Sequence, residues 1–66
     1  MNIILNGKKT EIEKAMTLVE LLEFKNIETD RVIVEYNFEV LMKKDLESAV
    51  LKENDNVEVL KFVGGG

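Results

Sequence analysis

The segment that begins at Thr17 has the pattern of an amphipathic helix, and the position of this helix between two predicted hairpins constrains the fold. Thr17-Leu18-Val19-Glu20 has the form of a capping box, in which the Thr hydroxyl and the Glu carboxylate each bond a backbone N–H group at the start of a helix. Leu18, Leu21 and Leu22 follow the i, i+3, i+4 spacing of a stripe that packs on a sheet. Asn26 tolerates the left-handed conformation that ends many helices. The pattern therefore predicts one helix of about eight to ten residues.

Two predicted hairpins lie on either side of this helix. An apolar run at the start of the chain ends at Asn6-Gly7, the strongest short signal for a tight turn, so residues 1–14 are predicted to form a hairpin. Residues 31–36 are the most β-prone segment and are predicted to form a central strand. Asn37-Phe38 then provides a turn into a short strand at residues 39–41.

The last predicted strand, residues 57–63, is apolar on both faces. Val57 and Val59 can enter the core, while Leu60 and Phe62 fall on the opposite face. With Ile33 on the adjacent strand, these two side chains are predicted to form an exposed apolar patch that docks on a partner protein. The alternative is that Leu60 and Phe62 are buried under a loop.

The sequence ends in three glycines, Gly64, Gly65 and Gly66. Glycine loses more conformational entropy on ordering than any other residue, so three in a row do not serve to stabilise a fold. We expect a domain at residues 1–63 and a flexible tail at residues 64–66, thin enough to enter a narrow channel of a partner. A terminal carboxylate is a nucleophile that can attack an activated phosphate. A linker or an expression scar is the alternative for such a tail.

Composition excludes several classes of function. A chain of 66 residues allows one small domain and no deep catalytic cleft. It has no cysteine and no histidine, so it lacks a thiol nucleophile, a thiolate metal site and the usual general base near neutral pH. The net charge of −4 argues against nucleic acid, and no apolar run is long enough to span a bilayer. We therefore expect a soluble, cytoplasmic protein that is not itself an enzyme.

The predicted order of strand, strand, helix, strand, strand, connector and strand indicates an α+β domain with a β-grasp, ubiquitin-like fold. Such a domain has a mixed sheet of four to five strands with one main helix packed across one face. Several motifs stand in the order and spacing of one family: Asn6-Gly7, Thr17-Leu18-Val19-Glu20-Leu21-Leu22, Asn37, Asp55, Val57 and Phe62-Val63-Gly64-Gly65-Gly66. On these residues the chain resembles the ThiS family of sulfur carrier proteins and, more distantly, MoaD, the small subunit of molybdopterin synthase. It departs from the family at Phe38 and Met42, where Gly is usual and Pro is frequent.

The resemblance implies that the chain is a protein substrate. A ThiF-like adenylating enzyme, using ATP and Mg, would convert the Gly66 carboxylate to an acyl-adenylate. Sulfur from a cysteine desulfurase system would then replace AMP, and the Gly66 thiocarboxylate would deliver sulfur to a ThiG-like thiazole synthase for the thiazole ring of thiamin. The chain itself would bind no cofactor. A chain without cysteine has no side-chain thiol for sulfur, which agrees with attachment at the terminal carboxyl group.

Three alternatives remain open at this point. A MoaD-like carrier would use the same chemistry but send the sulfur to a precursor of the molybdenum cofactor. A ubiquitin-like modifier would form an isopeptide bond to a lysine. An interaction module would use the same fold with an incidental Gly tail.

Overall fold

A computed structural model of the chain describes residues 1–61. Within them the chain forms five strands, one α-helix and two short 3-10 helices. The strands are β1 (Asn2–Leu5), β2 (Lys8–Glu11), β3 (Val32–Tyr36), β4 (Glu39–Leu41) and β5 (Asn56–Lys61), the helix is α1 (Leu18–Phe24), and the 3-10 helices span Thr29–Arg31 and Lys43–Glu47. This arrangement confirms the predicted α+β class. No helix in this part of the chain is long and apolar enough to cross a membrane.

The five strands form one mixed sheet in the order β2-β1-β5-β3-β4. β1 and β5 are parallel, and the other neighbouring pairs are antiparallel. The sequence predicted a central position for β3, and β3 does lie inside the sheet, between β5 and β4. The middle strand, however, is β5, because the chain returns from the β3–β4 hairpin and inserts its last strand between β1 and β3.

Both hairpin turns have two residues with positive φ angles, which matches the right-handed twist of the flanking strands. Asn6 and Gly7 have φ angles of 50° and 79°, as the Asn-Gly signal predicted. Asn37 and Phe38 have φ angles of 51° and 71°. The second turn is therefore as tight as the first, although Phe38 carries a Cβ into a backbone region that a bulky side chain rarely adopts.

The helix forms as its capping box predicts. The Thr17 side chain accepts a hydrogen bond from the Glu20 N–H group, and the Glu20 carboxylate accepts one from the Thr17 N–H group. At seven residues, the helix is slightly shorter than expected. Its Leu stripe packs against the sheet in a core of buried apolar residues: Ile3, Ile12, Leu18, Leu21, Leu22, Val32, Val34, Leu46, Leu51, Val57 and Val59.

The connector before β5 follows a different pattern from the one its sequence suggests. Leu46, Ala49 and Val50 have helical spacing, but only residues 43–47 are helical, and Val50 is exposed while Leu51 is buried. The cause is an extended segment that runs beside the start of α1. Leu18 donates a hydrogen bond to the Ala49 carbonyl, and Leu51 donates one to the Met16 carbonyl. Side chains alternate in extended backbone, so Val50 turns outward and Leu51 turns inward.

Candidate functional site

The sheet has one face covered by α1 and one open face, which is the face opposite α1. Val32 and Val34 point into the core, so the intervening Ile33 lies on the open face. On β5, Leu60 follows the buried Val59 and lies on the same open face, and it is the direct cross-strand partner of Ile33. Ile33 is 38% exposed and Leu60 is 48% exposed. Both are therefore accessible, and burial of Leu60 under a loop is wrong.

The structure brings together only part of the site that the sequence predicts. Ile33 and Leu60 form one pair, near the end of β5 that leads toward the C-terminus. Phe62 and the tail residues Gly64, Gly65 and Gly66 lie outside the described residues. Their roles, and the predicted domain boundary at residue 63, stay predictions.

The open face also carries an acidic pair and, at its edge strand, further apolar residues. Glu35 is the cross-strand partner of Glu58 on one side and of Val40 on the other. Two carboxylates directly opposite each other repel, so this row opposes folding and is suited to contact a basic group. Val40, on the edge strand β4, is exposed, and so are Phe38 and Met42 at its two ends. The i, i+2, i+4 spacing of these three apolar residues is the signal that could have predicted an apolar edge.

Two asparagine side chains hold β5 from its two sides. Asn6, in the β1–β2 turn, accepts a hydrogen bond through its Oδ1 atom from the Val59 N–H group at 2.8 Å. Asn37, in the β3–β4 turn, accepts one through its Oδ1 atom from the Asn56 N–H group at 2.8 Å. The turn backbones also contribute, because Asn6 N–H bonds the Val57 carbonyl at 2.8 Å and Asn37 N–H bonds the Asn56 carbonyl at 2.7 Å.

Asp55 fixes the turn that leads into β5. It is 5% exposed, and its carboxylate accepts hydrogen bonds from the Lys52 N–H group at 2.7 Å, from Asn37 Nδ2 at 3.3 Å and from the Tyr36 hydroxyl. Lys52 Nζ lies 3.8 Å from the same carboxylate. Burial alone would raise the pKa of Asp55, but the hydrogen bonds led by that of Tyr36 outweigh it and lower the pKa. Burial and the Asp55 partner raise the pKa of Tyr36.

The carboxylates of the described residues do not gather into a metal-binding cluster. In residues 1–61, no group of three or more Asp or Glu side chains is placed to hold a metal ion. The Asp55 carboxylate is occupied by donors from the protein itself. What the arrangement provides is a rigid sheet with an accessible apolar pair beside the end of its middle strand.

Comparison with known proteins gives consistent matches along the whole chain. A family model described as the ThiS family matches residues 3–66. The sulfur carrier protein ThiS of Bacillus subtilis is 38% identical over 63 residues, which are 94% of this chain and 96% of that protein. A crystal structure of the thiamine biosynthesis protein ThiS from Geobacter metallireducens superimposes with a TM-score of 0.86 at 35% identity and covers all of both chains.

Two thiazole synthases contain a segment similar to the whole of this chain. The one from Magnetococcus marinus is 38% identical over 66 residues, and the one from Paramagnetospirillum magneticum is 29% identical over 66 residues. This chain spans 20% of the length of each. The remaining four fifths of those proteins have no counterpart in this chain.

Proposed function

Because the chain belongs to the ThiS family, we propose that it is a sulfur carrier protein of thiamine biosynthesis. The observation that carries the proposal is the similarity to the Bacillus subtilis sulfur carrier along nearly the full length of both proteins. The β-grasp fold agrees with it, since this chain superimposes on the Geobacter metallireducens ThiS structure over its whole length. The chain acts as a substrate for other enzymes, and its fold serves to present the reacting end.

The reacting group in this proposal is the carboxylate of Gly66. Its oxygen attacks the α-phosphate of ATP in an adenylating enzyme, which forms an acyl-adenylate and releases pyrophosphate. Carboxylate oxygen is a poor leaving group, whereas AMP leaves readily. A sulfur nucleophile can then form a C–S bond to Gly66 while the C–O bond to AMP breaks. The ATP and Mg belong to the adenylating partner, and Gly65 and Gly66 let its channel close around the reacting carbon without a Cβ in the way.

Three partners follow from this chemistry. The adenylating enzyme activates Gly66, a cysteine desulfurase system supplies the sulfur, and a thiazole synthase receives it. The last partner has support in the comparisons, because the two thiazole synthases described above carry a similar segment within their own chains. Covalent joining of such a segment to a synthase is the arrangement expected where the two must meet.

The docking surface in this proposal is the pair of Ile33 and Leu60, extended by Phe62. A tail that enters a channel loses conformational entropy and makes few contacts there, so a folded surface beside it must supply binding energy. Ile33 and Leu60 are exposed and paired across two strands, and Leu60 is close in sequence to the tail. Phe62 is the candidate for the central aromatic anchor.

The proposal is tested by following the mass of the intact chain. Incubation with ATP, Mg and the cognate adenylating enzyme should add AMP to the chain, and addition of the desulfurase system should replace one oxygen of Gly66 by sulfur. Deletion of Gly66 should abolish both AMP addition and sulfur incorporation, and it should leave the temperature of the unfolding transition unchanged. Thiazole formation with a thiazole synthase completes the test.

Other outcomes would contradict the proposal in distinct ways. A lysine adduct would indicate a ubiquitin-like modifier, and sulfur transfer only to a molybdopterin precursor would indicate a MoaD-like carrier. A chain that stays unchanged with adenylating enzymes would indicate an interaction module. AMP addition to the chain lacking Gly66 would show that the reacting group lies elsewhere.

A further inference from the structure

The middle strand β5 is supported unequally by its two neighbours. β3 pairs with it along five consecutive positions, from Tyr36 opposite Val57 to Val32 opposite Lys61. β1 pairs with it at only two positions, Ile4 opposite Asn56 and Leu5 opposite Val57. Beyond Leu5 the β1 chain turns away into the first hairpin. Among residues 1–61, the half of β5 nearest the C-terminus therefore has a backbone partner strand on one side only.

Asn6 supplies the hydrogen-bond acceptor that the backbone of β1 would provide if β1 continued beside β5. Alternate N–H groups of β5 point toward β1, and the Val59 N–H group is the next one after the last backbone pair. It meets the Asn6 side-chain Oδ1 atom at 2.8 Å, across 53 positions in sequence. The Asn6 backbone N–H bonds the Val57 carbonyl at 2.8 Å, so one residue holds two successive points of β5.

We propose that Asn6 is a positioning residue for activation of the C-terminus, because it fixes the end of β5 that presents Leu60 and leads into the tail. This inference rests on the proposed function. Val59 is adjacent to Leu60 and seven residues before Gly66. If the Val59 N–H group loses its acceptor, the end of β5 separates from the sheet for part of the time, and Leu60 is correctly placed in only a fraction of molecules. The apparent affinity for the adenylating enzyme falls by that fraction.

The chain contains a matched control for this inference. Asn37 occupies the same place in the other hairpin turn, with a φ angle of 51°, and its Oδ1 atom also accepts a β5 N–H group at 2.8 Å. Its partner, however, is Asn56, at the end of β5 remote from the tail. Asn37 also bonds Asp55, so its removal should destabilise the domain at least as much as removal of the Asn6 side chain. A comparison of variants at Asn6 and Asn37 therefore distinguishes an effect on the position of the end of β5 from an effect on the stability of the domain.

The experiment compares Asn6→Gly and Asn37→Gly in adenylation of the intact chain. Glycine adopts both positive φ angles without strain, so each change removes the side-chain acceptor and leaves the turn. We expect Asn6→Gly to raise the KM for the carrier with kcat unchanged, by at most about tenfold, which is the factor that loss of one hydrogen bond corresponds to. Asn37→Gly should leave KM unchanged. Asn6→Asp keeps an oxygen acceptor and tolerates the same backbone, so it should restore KM.

A second measurement uses the native protein and requires no partner. In amide hydrogen exchange, the Val59 N–H group of the native chain should exchange as slowly as the Val57 N–H group. Asn6→Gly should make exchange at Val59 fast and leave exchange at Asn56 slow. Rapid exchange at Val59 in the native chain would overturn the inference, and so would an equal rise in KM for both glycine variants. If the native chain is not adenylated at all, the proposed function fails, and the exchange experiment still decides whether Asn6 holds β5.

Discussion

Ile33 and Val34 are neighbours in β3, but 38% of Ile33 is exposed and only 2% of Val34. The difference comes from the sheet, whose covered face packs on α1 while its open face carries Ile33, Leu60 and the Glu35–Glu58 pair. The covered face supplies the burial that holds a small domain together. The open face contributes little to that burial. Changes on the covered face should therefore unfold the protein, and changes on the open face should alter binding while the fold remains.

The largest effect is expected on the covered face, at Leu21. Leu21→Ala removes a fully buried side chain from the helix stripe, which should lower the free energy of unfolding by about 2–5 kcal/mol. A loss of this size approaches the whole stability of a small domain. Urea denaturation followed by circular dichroism measures it. A midpoint close to that of the native protein would contradict the assignment of Leu21 to the core.

The next effect is expected on the open face, at Leu60. Leu60→Asp should raise the carrier concentration for half-maximal adenylation by about thirtyfold or more, which corresponds to about 2 kcal/mol for an interface hot spot. The unfolding midpoint should change little because Leu60 is 48% exposed. Val50→Asp is the matched control, since Val50 is 51% exposed but lies on the connector. Equal effects of the two changes would show that the open face is not the docking surface.

Phe62→Asp extends this test to the predicted anchor, which lies outside the described residues. We expect it to weaken activation at least as much as Leu60→Asp does, with the unfolding transition unchanged. Unfolding by Phe62→Asp would place the ring in the core. If Phe62→Asp alters neither folding nor activation, the adenylating enzyme must recognise another part of the surface, for example the acidic positions Glu35 and Glu58.

A smaller effect is expected at the buried charge that supports the entry to β5. The folded protein lowers the pKa of Asp55, so folding is favoured where the carboxyl group is ionised in both states. This stability is fully present above the unfolded pKa of about 3.9 and is lost as the pH falls below it toward the folded pKa. Asp55→Asn should cost roughly 1–2 kcal/mol at neutral pH, because donors lose their charged acceptor. Below about pH 4, the unfolding midpoint of Asp55→Asn should also depend less on pH than that of the native protein. The same pH dependence in both proteins would contradict a stabilising role for the Asp55 carboxylate.

The smallest effect is expected at Phe38, on the exposed tip of the second hairpin. Phe38 has a φ angle of 71°, where a side chain is strained, and its ring is exposed and gains little burial in return. Phe38→Gly should therefore stabilise the domain by about 0.5–1 kcal/mol, after the greater entropy of glycine in the unfolded chain is subtracted. Thermal unfolding measures the gain. A loss of stability would show that the Phe38 ring makes contacts that hold the hairpin.

Short-range patterns predicted most of the fold. The capping box fixed the first residue of α1, and Asn6-Gly7 fixed the first turn, because each motif bonds groups only a few residues apart. Alternation in β5 correctly assigned Val57 and Val59 to the core. The exposure of Ile33 and Leu60 followed from the same alternation. The segment before β5 was correctly expected to be a connector, and its helical spacing does not continue beyond one short 3-10 helix because pairing with the start of α1 extends the rest of that segment.

The sequence by itself determined which elements form and which face of each is apolar, since these depend on local hydrogen bonds and on side-chain periodicity. Only the tertiary structure decided that β5 lies in the middle of the sheet, that Asp55 is buried among its donors, and that Asn6 bonds Val59. Apart from the local bond between Lys52 and Asp55, these contacts join residues between 18 and 53 positions apart. No local preference selects such partners. They form because burying the apolar faces together leaves polar groups of distant segments in contact, and each group must then find a hydrogen-bond partner there.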